Sequence, residues 1–199
     1  VQKGGSIAIG ARDLFERVKM MPEGLLTITT TDGSGATIRA ASSARRYTLH
    51  GVPGEDFPAI PEPDAAATVL SLGVDALSTL IARTHFSIST DDTRLHLNSA
   101  LFEWDGNQVR MVTTDGHRLS KMELTVAGKP ASSSMLIPLK GIQELRRLAD
   151  EAKAEGKGDG AEGVVLELIQ SGPNAFFRLP GLQFSVKLVD AQFPPYQQV

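Results

Sequence analysis

The residue types best suited to chemistry stand together in Val112–Ser120, VTTDGHRLS, where Thr114, Asp115, His117 and Arg118 surround a single glycine. Asp115 and His117 are the types of an acid–base pair. The same groups, with the backbone of a glycine-containing turn, can hydrogen-bond an extended peptide. Other constellations are poorer. His50, His85, His96 and His117 show no H-x-H or H-E-x-x-H spacing, so a zinc site would need distant convergence. Asp91 and Asp92 are neighbours on a turn, where side chains point apart, and read as a solvated loop. No G-x-S-x-G supplies a nucleophile elbow. The run Gly156–Gly163, GKGDGAEG, lacks the lysine-hydroxyl ending of a phosphate-binding loop and reads as a connector. The residues predict no catalytic set, no metal and no cofactor.

Two strands must present the segment, Gln108–Thr113 before it and Leu119–Leu124 after it. Asp115-Gly116 suits the φ > 0 positions of a two-residue hairpin turn. Leu97, Val109, Met111 and Leu119 would anchor this hairpin in a sheet, leaving His117 and Arg118 at its end.

Around the hairpin the chain repeats one pattern three times: a strand, an amphipathic helix, then three strands. The first unit runs from Ser6-Ile-Ala-Ile to about Pro61. Its helix puts Leu14, Phe15, Val18 and Met21 on one face, the spacing of a core stripe, and Pro22-Glu-Gly ends it. Strands follow at Leu26–Thr31, Thr37–Ala41 and Arg46–Leu49, with a turn at Asp32-Gly33. The second unit opens with Thr68–Leu72 and a helix from Val74 burying Leu77, Leu80 and Ile81, then ends in the hairpin. The third opens with Met135–Ile137 and a helix from Gly141 burying Ile142, Leu145 and Leu148, with strands from Val164 to Leu188. The first and third units end alike, EDFPAIP against DAQFPPY, a Phe-Pro exit in which proline stops the ladder and the aromatic plugs the sheet edge. Matching exits in alternate units predict a domain built from two units, with Pro61-Glu-Pro-Asp as the junction.

Composition bounds the function. The chain has 199 residues, 41% of them hydrophobic, enough for one or two cores. Zero cysteines exclude a disulfide scaffold, a cysteine nucleophile and a thiolate zinc site, and suit a reducing cytoplasm. No apolar run approaches the roughly 18 residues that span a bilayer, and no signal-peptide pattern opens the chain. A net charge of -3 argues against a general nucleic-acid coat but permits a basic face on an acidic body. The start at Val1, with no methionine and immediate strand, is the expectation for a fragment.

Such a basic face is written on the helices. Arg12 and Lys19 share a stripe of the first, with Arg17 beside it, opposite the apolar face. Arg146 and Arg147 on the third point away from Ile142 and Leu145, with Lys140 at the helix start, while the second supplies only Arg83. Charge pattern alone fits a solvated face as well. Recurrence at equivalent places of the repeat favours phosphate contacts, which need charge and no base-reading motif.

The hairpin nonapeptide, with RRYTLHGVPGEDFP (Arg45–Pro58) and FSVKLVDAQFPPY (Phe184–Tyr196), resembles the bacterial DNA polymerase III beta subunit family, the sliding clamps, in which T-D-G-H-R-L is a signature. The similarity covers essentially all 199 residues. It implies an α+β DNA clamp fold of repeated strand-helix-three-strand units, with helices on one face of antiparallel sheets. It implies that residues 1–64 are the C-terminal half of clamp domain one and 65–199 are domain two, the third domain being absent from the chain. It implies a client-peptide cleft at Leu97, Thr114, Gly116, His117, Arg118, Leu119, Pro194 and Val199. Gln198 stands where the best-known clamps have arginine, which alters the charge of that rim. The same resemblance makes Arg12, Arg17, Lys19, Arg83, Lys140, Arg146 and Arg147 DNA-facing and places Tyr47 and Leu49 at the contact that closes a ring.

The resulting expectation is a non-catalytic processivity factor, without cofactor or membrane contact, in the bacterial cytoplasm at the nucleoid. As a homodimeric ring it would encircle duplex DNA without sequence preference. It would tether the polymerase III catalytic subunit, the clamp loader, and translesion and repair proteins through one cleft per subunit. One alternative is a stand-alone peptide-binding adaptor of the same fold that does not encircle DNA; loss of the basic helix faces would favour it. The other is a small α+β enzyme using Asp115 and His117, which a deep pocket of titratable groups at the hairpin would favour.

Overall fold

The computed structural model describes residues 4–31, 35–127, 131–156 and 163–198, and the chain divides into two compact units, 1–60 and 61–199. The first holds β1 (Ile7–Ile9), α1 (Ala11–Lys19), β2 (Leu26–Thr31), β3 (Gly35–Ala40) and β4 (Arg46–Pro53). They form one antiparallel sheet in the order β1-β4-β3-β2. Ala36, Ile38, Ala40 and, opposite Ala36, Leu49 are buried, so one face of the pleat carries the core. β1 comes so close to β4 that a Cβ on Gly51 would stand 2.3 Å from the Ala8 carbonyl oxygen; only glycine fits there.

The helix of this unit forms, yet its apolar stripe does not become core. Phe15 is 62% exposed and Val18 38%, while Leu14 and Met21 are half-buried. Among the described residues this unit holds one helix and one sheet, whereas the second unit has two of each to close over its helical stripes. β4 runs on to Pro53, past the expected end at Leu49, and Phe57 stays exposed where a sheet-edge plug was expected. The turn expected at Asp32-Gly33 lies outside the described residues.

The second unit follows as β5 (Val69–Gly73), α2 (Val74–Thr84), a 3-10 turn (His85–Ser87), β6 (Ser99–Asp105), β7 (Gln108–Thr114) and β8 (Leu119–Thr125). It continues with β9 (Ser133–Pro138), α3 (Leu139–Gly156), β10 (Val165–Ser171), β11 (Asn174–Leu179), β12 (Leu182–Lys187) and a 3-10 turn at Tyr196–Gln198. Two antiparallel sheets result, β8-β7-β6-β9 and β12-β11-β10-β5. Each half sends its first strand into the other's sheet: Leu70 of β5 lies opposite Leu168 of β10, and Leu136 of β9 opposite Leu101 of β6.

Both helices pack against the inner faces of these sheets. Leu77, Leu80 and Ile81 of α2 join Ile142 and Leu145 of α3, Phe102, Trp104 and Met111 of one sheet, and Leu72, Leu168 and Phe177 of the other. The helical stripes expected for α2 and α3 are therefore the core stripes, each large side chain contributing about 1.5–3 kcal/mol by burial. Trp104 is buried and still satisfied, donating from Nε1 to the Ala131 carbonyl at 2.5 Å. Apart from its ends, the Gly156–Gly163 connector lies outside the described residues. No helix among the described residues is long and apolar enough to cross a membrane.

Candidate functional site

Thr114 pairs with Leu119 across β7 and β8, so the hairpin loop is Asp115-Gly116-His117-Arg118, four residues where a two-residue turn was expected. Side-chain chemistry explains the longer loop. The Asp115 carboxylate accepts from the backbone N–H groups of His117 and Arg118 at 2.9 and 3.1 Å, and from Arg118 Nε at 3.0 Å. Thr114 Oγ1 donates to the Arg118 carbonyl at 2.7 Å and accepts from the Gly116 N–H at 3.1 Å. Only Gly116 must be glycine, at φ 93°. The His117 and Arg118 amides hold the Asp115 carboxyl at about 2, well under its ordinary value.

The loop is fastened to the end of α2. Thr113 Oγ1 donates to the Thr84 carbonyl at 2.6 Å, and Ser120 Oγ lies 2.7 Å from Ser87 Oγ. Arg118 Nη2 donates to the Phe86 carbonyl at 2.6 Å. Beside it runs the segment before β6, where Asp91 accepts from Thr93 and from Arg94 Nε, the bond to Thr93 leading the fall of its carboxyl below the ordinary range. That turn, with Asn98 bonded to the Ser89 carbonyl, sets Leu97, which is 6% exposed. Asp91 is thus a loop brace, and Asp92 beside it is exposed.

Thr114 and Leu119 face away from the helices, on the outer face of their sheet. Thr114 is nearly buried and Leu119 is 38% exposed, as an open apolar contact requires. Further along the same face, Leu101, Val112 and Leu136 hold Phe193 and Tyr196 of the segment that follows β12. That segment carries Pro194, half-buried, and Gln198, exposed. Tyr196 Oη donates to Glu103 Oε2 at 2.7 Å, and Arg110 lies between Glu103 and Glu123, bonding the latter at 2.8 Å. Leu97, Thr114, Gly116, His117, Arg118 and Leu119 therefore gather at one end of this sheet. Pro194 belongs to a segment anchored beside Val112, two residues from Thr114, and Val199 lies outside the described residues.

The basic residues sort less uniformly than their spacing suggests. Arg12, Lys19, Arg83, Lys140, Arg146 and Arg147 are exposed. Arg17 departs from the open stripe: it bridges to Asp13 at 3.3 Å and its guanidinium stands 5.6 Å from the Tyr47 ring centre, turned toward β4. Arg147 is clamped by Glu144 and Glu151, bonds that push its pKa further up. Arg83 and Arg146 border a groove of about 450 Å³ between α2 and α3, with Ser78, Asp150 and Lys153. In the first unit Tyr47 is half-buried but Leu49 is only 1% exposed, so Tyr47 alone of that pair presents surface.

An acid–base pair does not form. The Asp115 carboxylate is spent on backbone amides and Arg118, and its low proton affinity unfits it as a base near neutrality. Sequence reasoning missed Phe86, whose carbonyl holds Arg118 and whose ring is exposed, and the Glu103–Arg110–Tyr196 set. An aromatic directly after a helix was the one available signal for Phe86; nothing local marked the other.

The family model described as DNA polymerase III beta subunit, central domain, matches residues 71–195. The beta sliding clamp of Vibrio cholerae is 32% identical over 197 residues, covering 99% of this chain and 50% of that protein. The beta sliding clamp of Pseudomonas aeruginosa is 34% identical over 198 residues, covering 98% of this chain and 50% of that protein. A crystal structure of the DNA polymerase III subunit beta from Pseudomonas aeruginosa matches with a TM-score of 0.82 at 30% identity, over 96% of this chain and 50% of that one. The chain spans about half the length of the curated relatives it matches.

Proposed function

Because the chain belongs to the DNA polymerase III beta subunit family and has its clamp fold, we propose that it is part of a sliding clamp. On this reading residues 1–64 are the C-terminal half of clamp domain one and 65–199 are the middle domain. The intact protein is a homodimeric ring around duplex DNA, in the bacterial cytoplasm at the nucleoid. It is non-catalytic: catalysis belongs to the polymerase, and the clamp raises that enzyme's effective concentration at the primer end.

Clients, among them the polymerase catalytic subunit, the loader, and translesion and repair proteins, dock by a short peptide. Leu97, Thr114, Gly116, His117, Arg118 and Leu119 receive it, with Pro194 and Val199 completing the cleft. The observation that carries this reading is the hairpin end itself, where an open Leu119 stands beside a rigid, hydrogen-bonded loop. Gln198 makes the rim neutral, so electrostatic attraction of acidic clients is weaker there.

Arg12, Lys19, Arg83, Lys140 and Arg146 face the DNA, whose phosphates they attract diffusely, as a sliding protein requires. Arg17 and Arg147 contribute less, each being paired within its own helix. Tyr47 supplies the ring contact, with Leu49 supporting its strand from beneath.

Retention on circular DNA tests the reading. The intact protein, once loaded, should co-elute with circular duplex and be released when one double-strand cut opens the circle. Equal retention on circular and linear DNA would instead favour a peptide-binding adaptor that does not encircle DNA.

A further inference from the structure

The chain that leaves β12 turns back across the outer face of the hairpin sheet. Val189 N–H donates to the Leu136 carbonyl at 2.9 Å, and Phe193 and Tyr196 then settle on Leu101, Val112 and Leu136, their rings edge-on at 6.5 Å. Its other side is open, with Ala191, Gln192, Pro195 and Gln197 exposed, and a cleft of about 600 Å³, bordered by Glu103, Leu136, Gln170 and Pro173, flanks it on the sheet side. A segment packed on one side only depends on its point contacts. Its one side-chain hydrogen bond to the sheet among the described residues is Tyr196 Oη to Glu103 Oε2 at 2.7 Å.

That bond is prepared from the sheet side. Glu103 of β6 lies opposite Arg110 of β7, which lies opposite Glu123 of β8, and Lys121 reaches Glu123 at 3.7 Å. Arg110 stands 3.8 Å from the same Glu103 oxygen that Tyr196 uses, so the acceptor is held in position from the sheet side. The Tyr196 N–H also donates to the Pro194 carbonyl at 2.7 Å, so fixing the tyrosine fixes the proline. Val112, under Tyr196, and Thr114, in the hairpin row, are two residues apart on one face of β7, a spacing of roughly 7 Å.

Resting on the reading of the hairpin as a client-peptide site, we propose that Tyr196 is a positioning residue. Held by Glu103, it locks the segment carrying Pro194 against the sheet and so sets the distance between Pro194 and the Thr114–Leu119 row. The peptide then meets a wall already in place and loses less affinity to ordering it.

The test uses the intact protein and a synthetic peptide bearing a glutamine followed by leucine and phenylalanine, with affinity read by fluorescence anisotropy. Tyr196→Phe removes one hydroxyl and should weaken binding about fivefold, while the emission of Trp104, the single tryptophan, and the melting midpoint stay as in the parent. Glu103→Ala should reproduce that loss without touching the buried ring. Glu103→Gln keeps an acceptor oxygen and should restore most of the affinity, a rescue that a purely packing role would not give. Parental affinity in both Tyr196→Phe and Glu103→Ala, with binding still weakened by Leu119→Ala, would overturn the lock and leave the site standing. No binding by the parent protein would overturn the site itself, and the lock with it.

Discussion

Arg146 Nη1 stands 3.0 Å from His85 Nε2, joining α3 to the turn that ends α2. His85 Nδ1 lies 2.9 Å from the Ile81 carbonyl, which can only accept, so Nδ1 carries the proton and Nε2 receives the arginine's. Arg146 is thereby aimed by an imidazole nitrogen rather than a carboxylate, whereas Arg147 is paired with two glutamates.

Retention on DNA should separate these neighbours. Neutralising Arg12, Lys19 and Arg146 in the intact protein should lower retention and flatten its salt dependence, by about 0.9 in logarithmic slope for each phosphate left without its cation. Arg147→Ala should leave the slope nearly unchanged. An unaltered slope in the triple variant would mean that these side chains face bulk solvent.

If the hairpin end is the proposed client site, Leu119→Ala should cost about 1–3 kcal/mol of client-peptide affinity, since it removes an apolar side chain from that floor. His117→Ala should cost less, its ring being exposed and its backbone supplying the turn. Calorimetric titration of the folded variants decides; undiminished affinity in Leu119→Ala would move the site elsewhere.

Acid should loosen the hairpin in a defined window. The Asp115 carboxyl is held at about 2, first by the His117 amide and then by Arg118, against an ordinary value of 3.8. A lowered carboxyl stabilises the fold when ionised, so its contribution is complete above 3.8 and is lost as the pH falls toward about 2. In an NMR titration the His117 and Arg118 amide protons should shift with a midpoint near about 2, and Asp115→Asn should abolish that step. A midpoint at the ordinary value would show that the loop does not grip its carboxylate.

Tyr47 and Leu49 should respond differently to charge. Tyr47→Asp should weaken self-association of the intact protein, seen by sedimentation, with the fold retained. Leu49→Asp buries a carboxylate at a position 1% exposed and should destabilise the first unit outright. Equal melting points for the two would contradict this division.

The strand-helix-three-strand order was legible because its signals are local. Apolar spacing marks α2 and α3 down to Leu77, Leu80, Ile142 and Leu145, and a glycine-containing turn marks the hairpin. The hairpin loop length was not legible, because the Asp115 carboxylate, rather than backbone preference, closes the turn. Nor was the exposure of Phe15, since periodicity identifies an apolar face without saying what covers it. Tyr196 and Glu103 lie far apart in the chain, and no local pattern reports such a pairing. The site residues around Thr114 came from family resemblance; their residue types alone left a peptide site and an acid–base pair both open.

The exchange of β5 and β9 between the two sheets has a consequence for how the second unit folds. Neither half owns a complete sheet, so neither can persist alone, and the unit should melt in one cooperative step. Leu70 must find Leu168 before the β12-β11-β10-β5 sheet closes, which makes the transition state wait on a long loop. Folding should accordingly be slow for a domain of this size. Once the crossed strands have closed, local fraying has no independent subdomain to release, so the unit should open only as a whole.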